Sequence, residues 1–305
     1  MAFEAFALIL AMLALGMLFA RLRVLPEDAA HTLNLVVLYL CLPAAVLVYV
    51  PRLHFDASLL GLVATPWLLA VATVALVALA TRLLRLRRDQ HAVLLLCVAL
   101  GNSSFIGYPM VRALLGEDAL PYAVVYDQFG TFLLLSTFGV CVLARYGGDR
   151  PPTPREVVLR IARFPPLWAL LFGLTLMPEQ PPRWIAAALQ QLADAMLPLV
   201  MLAVGLSIQL RLPREEVGAL ATGLVLKLAL MPALALLLSL GLSMRGEMLE
   251  ANVLESAMPT MITAAALAIS HRLAPRLAAA LVGYGILLSL ATLPAWMWLL
   301  ERIVG

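Results

Sequence analysis

Charged residues are what this sequence has least of. Only 13% of its 305 residues are Asp, Glu, Lys or Arg, and 63% are hydrophobic. An ordinary soluble domain carries about 25% charged residues, and a soluble fold of this length needs a large polar surface. The composition therefore excludes a cytosolic enzyme, a nucleic-acid-binding protein and a disulfide-rich secreted domain. The net charge of +3 gives no indication of an acidic partner.

Cysteine is also rare, and its three copies have no metal-ligand spacing. Cys41, Cys97 and Cys141 each lie in an apolar run, so we expect them to be small, buried hydrophobic residues. No metal site and no cofactor is predicted. No basic residue precedes the first apolar run, so we expect that run to be a membrane span and not a cleaved signal peptide.

Long apolar runs occupy most of the chain. One membrane-spanning helix needs about 20 residues, and the runs bounded by Arg, Pro and Gly predict ten such helices. We number these predicted spans 1 to 10; they cover residues 3–20, 31–50, 57–81, 91–115, 121–144, 157–177, 184–210, 214–243, 248–270 and 277–301. The predicted fold class is an all-α integral membrane protein.

Arginine is divided unequally between the two ends of these spans. The loops after spans 1, 3, 5, 7 and 9 contain 15 arginines, and the opposite loops and termini contain five: Arg52, Arg112, Arg183, Arg245 and Arg302. We call these ends the arginine-rich side and the arginine-poor side. The positive-inside rule then predicts that both termini lie on the outer side of the membrane. We expect a bacterial inner membrane, with that side facing the periplasm.

The two halves of the chain resemble each other at an offset of about 155 residues. The Leu42-Pro43 pair of span 2 matches Leu197-Pro198 of span 7, and the interrupted centre of span 4 matches that of span 9. Each half has five spans, an odd number, so the second half enters the membrane in the opposite orientation. The sequence therefore predicts two inverted five-helix repeats, residues 1–150 and 151–305, an arrangement typical of secondary transporters.

Spans 4 and 9 are predicted to be broken at their centres. Pro109 lacks an N–H and disfavours helical geometry at Tyr108, so we expect unwound backbone over 101–109, and a second break at Met258-Pro259. Helix N-termini that begin after two crossing breaks would direct N–H groups at one point, which suits a carboxylate. Ordinary proline kinks are the alternative. The predicted substrate-binding residues here are Asn102, Ser103, Ser104, Tyr108, Pro109, Pro259, Thr260 and Thr263.

Lys227, the only lysine in the chain, lies in the middle of span 8. A charged residue near the bilayer centre costs about 2.5–3.5 kcal/mol even on the lenient insertion scale, so such residues usually have a function. We predict that Lys227 contacts a substrate anion or balances a carboxylate, with snorkelling or a static ion pair between helices as the alternatives. Candidate partners are Asp127, Gln128, Glu255 and Asp194. Of these, Asp127, Gln128 and Glu255 are predicted to couple transport to a proton or a sodium ion, and the alternative for the two acids is a role as interhelical hydrogen-bond acceptors.

Several segments in this order resemble the auxin efflux carrier family, particularly its compact bacterial members associated with malonate or malate transport. The segments are 34–48, 99–128, 197–208, 226–232 and 254–269. The resemblance implies a scaffold of spans 1, 2, 6 and 7, and a transport domain of spans 3–5 and 8–10 whose broken spans 4 and 9 cross at the substrate site. The overall fold would be similar to that of the bile-acid/sodium symporters.

This chain matches the family pattern at some positions and departs from it at others. The matching positions are Asn102, Pro109, Pro259, Thr260 and the Asp127-Gln128 pair. Plant members have charged residues in span 3 and a long central loop, whereas this chain has no charge in span 3 before Arg82 and only a short linker over 146–155.

The predicted function is secondary transport of a small organic anion, such as malonate, malate or an auxin-like carboxylate, by an elevator-type movement of the transport domain. The alternatives are a sodium-coupled symporter of amphipathic, bile-acid-like anions and a membrane sensor without transport. An intramembrane enzyme is disfavoured because no catalytic motif is present and Ser103 and Ser104 have no histidine at membrane depth to activate them. Expected partners are the anion, the lipid bilayer and a second copy bound through spans 2 and 7, without nucleic acid.

Overall fold

The computed structural model describes residues 2–53, 59–148, 153–207 and 214–304, and these residues form helices joined by short turns. We label the helices α1 to α13 in chain order: Ala2–Leu22, Ala29–Arg52, Leu59–Leu84, Arg88–Ala99, Tyr108–Leu115, Leu120–Gly147, Pro154–Ala162, Pro165–Thr175, Arg183–Ser207, Arg214–Gly241, Gly246–Ala257, Ile262–Ser270 and Pro275–Val304. No β-strand is present in the described ranges beyond one isolated bridge.

Six of the described helices are long and apolar enough to cross a membrane. They are α2, α3, α6, α9, α10 and α13, with candidate spans of 24 to 29 residues. Ala7–Leu22 of α1 and the whole of α8 are apolar but shorter. Helices of this length and hydropathy match the thickness of the hydrocarbon core of a bilayer. The chain is therefore an integral membrane protein.

The helix bounds follow the predicted spans within a few residues, except at span 6. We expected one helix over 157–177, but the chain forms α7 and α8 with a break at Arg163-Phe164. Phe164 is extended (φ −85°, ψ 112°) because the residue before a proline is kept out of the helical region, and Pro165 then starts α8. The predicted repeat boundary at 150/151, Arg150 and Arg211 lie outside the described residues.

One cysteine also departs from the prediction. Cys41 and Cys97 are buried as expected, but Cys141 is exposed on α6. An apolar side chain on the outside of a membrane helix contacts lipid, so the apolar context of Cys141 did not require burial in the protein.

Two groups of helices can be distinguished by their packing. The four-helix group comprises α1, α2, α8 and α9, and the eight-helix group comprises α3–α6 and α10–α13. Within the four-helix group, α1 and α9 approach so closely that a Cβ added at Gly205 would lie 2.8 Å from the Cα of Gly16. Small residues of this kind let the backbones of membrane helices pack against each other.

Wide, π-helical turns interrupt several helices of the eight-helix group. They include Ser103–Gly107 before α5, Asp127–Thr131 in α6 and Leu226–Leu230 in α10. Such turns free backbone carbonyls and often occur at functional sites. Tryptophan side chains from neighbouring helices satisfy two of these carbonyls: Trp67 Nε1 donates to the Phe129 oxygen (3.0 Å) and Trp296 Nε1 to the Leu228 oxygen (2.9 Å).

Candidate functional site

The two breaks in the apolar helices lie against each other. Between α4 and α5 the Asn102 N–H donates to the Pro259 oxygen (2.8 Å), and between α11 and α12 the Met261 N–H donates to the Leu100 oxygen (2.9 Å). Gly101 and Thr260 form an antiparallel bridge between these bonds. Each break therefore satisfies backbone groups of the other, as non-helical backbone at membrane depth requires.

The first break is shorter than the sequence predicted. Instead of unwound chain over 101–109, only Leu100, Gly101 and Asn102 leave helical geometry, and Ser103–Gly107 forms a π-helical turn that leads into α5. Tyr108 is helical (φ −57°, ψ −50°) despite preceding Pro109. Pro109 lies in the first turn of α5, directly after the π-helical turn, and proline is tolerated in the first turn of a helix.

A buried carboxylate next to the first break is held by four donors. Ser103 Oγ (2.6 Å) and Ser104 Oγ (2.8 Å) donate to Asp127 Oδ1, while Tyr108 Oη (3.0 Å) and Gln128 Nε2 (2.9 Å) donate to Asp127 Oδ2. Asp127 and Gln128 begin the π-helical turn of α6. We call these five residues the Asp127 cage.

A second buried carboxylate, that of Glu255 in α11, is not held in this way. Glu255 is 0% exposed, and neither of its carboxylate oxygens has a hydrogen-bond partner among the described residues. It fits against Gly107, where an added Cβ would overlap the carboxylate. Burying an unpaired carboxylate is costly, so this position suits a group that takes up a proton or a cation.

Lys227 lies beside the backbone of both breaks. Its Nζ is 3.4 Å from the oxygen of Ser256, in the last turn of α11, and a Cβ added at Gly101 would be 2.9 Å from the same nitrogen. The negative end of the α11 dipole favours a cation there. Asp194, one candidate partner of Lys227, is paired with Arg112 instead. Local sequence could not reveal this pairing because the two residues are 82 positions apart.

A cavity of about 310 Å³ lies against the breaks on the arginine-rich side. Asn102, Ser104 and Thr263 line it together with Arg163 and Ser136, two residues that the sequence-based prediction missed. The prediction counted Arg163 only toward membrane topology, although its position beside the proline-induced break was a usable signal. Ser136 lies in an apolar stretch and gave no such signal. We call this space the Asn102 cavity.

Two stacked aromatic rings form part of the lining of the Asn102 cavity. The rings of Phe132 and Phe164 stack with centroids 3.7 Å apart and planes inclined by 11°. Both rings line the cavity. This contact joins α6 to the turn before α8 and so holds Arg163 beside the predicted substrate-binding residues.

A second cavity, of about 360 Å³, lies toward the arginine-poor side. Tyr108 and Pro109 line it with Arg112 and Asp194. The predicted site residues are thus distributed: Asn102, Ser104 and Thr263 line one cavity, and Tyr108 and Pro109 line the other. The remaining ones, Ser103, Asp127, Gln128, Pro259, Thr260, Lys227 and Glu255, hold or surround the breaks; Thr260 does so through a bond from its Oγ1 to the Cys97 oxygen (2.9 Å).

Apolar membrane helices with paired breaks, enclosing buried charge between two cavities, define a membrane transport protein. A family model described as "Membrane transport protein" matches residues 1–297. The chain therefore belongs to this family, the auxin efflux carrier family that its motifs predicted.

Two relatives from archaea extend the match over almost the whole chain. An uncharacterized transporter of Methanothermobacter thermautotrophicus is 32% identical over 294 residues, covering 94% of this chain and 95% of that protein. The uncharacterized transporter MJ1031 of Methanocaldococcus jannaschii is 28% identical over 294 residues, covering 91% and 92%.

Proposed function

We propose that this protein is a secondary transporter of a small organic anion, and that the Asn102 cavity is its binding site. The observation that carries the proposal is that Asn102 of the first break and Thr263, just after the second break, share one cavity with Arg163. A cavity of about 310 Å³ has the size of a small-molecule site. Guanidinium groups bind carboxylates through charge-assisted, often bidentate hydrogen bonds.

In this proposal the cationic residues have different tasks. Arg163 contacts the anion, because it lines the cavity, whereas the Lys227 ammonium contacts the Ser256 oxygen. Lys227 supplies positive potential behind the breaks. Asn102 adds a donor, since its Nδ2 is buried without a partner among the described residues. A bound carboxylate would satisfy that donor.

The proposed architecture is ten membrane crossings in two inverted five-helix repeats, with α4–α5 and α11–α12 as the broken crossings. Support comes from the antiparallel pairing of the two breaks and from helix bounds that follow the predicted spans. The four-helix group would be the scaffold and the eight-helix group would move as an elevator. By the positive-inside rule, the Asn102 cavity then faces the cytoplasm of a bacterial cell.

Glu255 is the proposed coupling residue. Its carboxylate is 0% exposed and has no hydrogen-bond partner in the part of the chain that the structure describes, so it would exchange a proton, or would hold a sodium ion, as the eight-helix group moves. Uptake into proteoliposomes under an imposed pH gradient, compared with an imposed sodium gradient at equal pH, distinguishes the two. A response to sodium alone would favour the sodium-coupled symporter.

Binding can be tested separately from transport. Purified protein in nanodiscs is titrated with acetate, malonate, malate and indole-3-acetate while its thermal unfolding is followed. We expect at least one anion to raise the unfolding temperature of the wild type and of Arg245→Gln, a control on the arginine-poor side. Arg163→Gln should reduce the affinity at least about tenfold, the loss expected for a charged hydrogen bond. Equal affinity in Arg163→Gln would refute the assignment of that residue, and binding without uptake would indicate a sensor.

A further inference from the structure

Four charged side chains form a continuous chain at the arginine-poor side. Arg112 pairs with Asp194, and its Nη2 lies 2.7 Å from Glu117 Oε1. The other oxygen of Glu117 is 3.6 Å from Arg52 Nη1. Gln190 Nε2 donates to Asp194 Oδ1 (2.9 Å) and so fixes that end of the chain.

This chain of charges crosses between the two helix groups twice. Arg112 lies in α5 and Glu117 follows it, so both belong to the eight-helix group. Asp194 lies in α9 and Arg52 ends α2, so both belong to the four-helix group. The Arg112–Asp194 pair and the Arg52–Glu117 pair each join the two helix groups. The Arg112–Glu117 pair lies within the eight-helix group and links the other two.

Helix α5 connects this ion-pair chain to the buried site. Tyr108, which donates to Asp127, and Arg112 are one helical turn apart and lie on the same face. Both line the second cavity, and so does Asp194 of α9. A displacement of the Asp127 cage relative to α9 therefore has to move Arg112 away from Asp194.

We propose that Arg112 and Asp194, supported by Glu117 and Arg52, are gating residues that close the arginine-poor side while the Asn102 cavity is accessible from the other side. The proposal rests on the proposed transport function, because it requires the two helix groups to move. The side chains are 36% to 47% exposed, and ion pairs at such exposure are individually weak. A gate that opens in every transport cycle needs contacts of this strength.

A double-mutant cycle on cavity exposure tests the gate. Ala113, which lines the second cavity, is replaced by Cys in a Cys141→Ser background, since the other two cysteines are buried. Reaction of the introduced thiol with a hydrophilic maleimide is timed in nanodiscs. Arg112→Gln and Asp194→Asn should each speed labelling about two- to fivefold, and the double variant should label no faster than either single variant. Arg245→Gln, on the same side, should leave the rate unchanged.

Either of two results overturns the gate. One is equal labelling in all variants, and the other is a double variant whose acceleration is the product of the single ones. Arg112→Gln and Asp194→Asn each remove the charge of one partner of the ion pair. If one variant fails to fold, the other still measures the effect of breaking the pair. The labelling assay needs no substrate. If the variants speed labelling as expected but no anion is taken up, that result contradicts only the proposed function. Uptake with unchanged labelling contradicts only the gate.

Discussion

Ser103 Oγ lies 2.6 Å from Asp127 Oδ1, which ties the first helix break to the acidic residue of α6. The carboxylate also accepts bonds from Ser104, Tyr108 and Gln128, so it is fully surrounded by neutral donors. Hydrogen bonds to an ionised group contribute about 1.5–3 kcal/mol each. The Asp127 cage therefore fixes the π-helical turn of α6 against the break.

Ser103→Ala should lower the free energy of unfolding by about 1.5–3 kcal/mol, because it removes one donor from a buried carboxylate. Denaturation in detergent, followed by tryptophan fluorescence, measures the change. Ser270→Ala provides a control, since its Oγ donates to a backbone oxygen in an exposed helix end (2.9 Å). Equal losses in the two variants would contradict the special role of Ser103.

Gly107→Ala should abolish anion uptake, because the added Cβ would overlap the Glu255 carboxylate. The variant forces Glu255 away from the π-helical turn before α5 and costs about 1–3 kcal/mol of overpacking. Gly218→Ala is the matched control in α10, where an added Cβ meets nothing within 4 Å. Uptake by Gly107→Ala at the rate of Gly218→Ala would show that Glu255 does not need this contact.

Lys227→Met should leave the stability unchanged or raise it, and should weaken binding only slightly. The ammonium gains up to about 2 kcal/mol at the negative end of α11 beside the Ser256 oxygen, which is less than the cost of about 2.5–3.5 kcal/mol for a charge at this depth. We expect an unfolding temperature at or above that of the wild type and a KM for the anion within about threefold of wild type, because Lys227 acts on the anion only through its potential. A tenfold higher KM would instead make Lys227 the direct anion contact.

Trp67→Phe should slow uptake, because it removes the indole N–H that satisfies the Phe129 oxygen in the π-helical turn carrying Asp127. The lost hydrogen bond costs about 0.5–1.5 kcal/mol. Thr175→Val is the control, because it loses the bond from its Oγ1 to the Leu171 oxygen (2.7 Å) at the end of α8 that is remote from Arg163. Both variants should lose similar stability, but only Trp67→Phe should lower the maximal rate; equal rates would limit Trp67 to a structural role.

Much of the fold could be predicted because membrane helices leave simple signals. Apolar length gave helix bounds to within a few residues, and the interruptions at Gly101 and Pro259 identified the breaks that contact each other. Proline was harder to interpret. Phe164 before Pro165 is extended and divides a predicted helix, whereas Tyr108 before Pro109 stays helical and Pro66 lies inside a continuous helix, so proline alone does not show where a helix ends.

The site was less predictable because its partners are distant in sequence. Residue type and depth singled out Asp127, Glu255 and Lys227, but not which would be paired. The packing of α5, α6 and α11 determines which carboxylate is paired. It gives Asp127 four donors, whereas Glu255 has none among the described residues. The arginine count assigns Arg163 to membrane topology, and that count does not show that the same residue also lines the Asn102 cavity.

The most direct test of the central claim is counterflow of a radiolabelled carboxylate into proteoliposomes loaded with the same unlabelled anion. An anion that stabilises the protein in the binding assay is used for the wild type, Asn102→Ala, Arg163→Gln and Arg245→Gln. The account predicts saturable uptake by the wild type and Arg245→Gln, and at least about tenfold lower uptake at subsaturating anion in the two cavity variants. Saturable uptake that is equal in all four proteins would contradict a binding site in the Asn102 cavity.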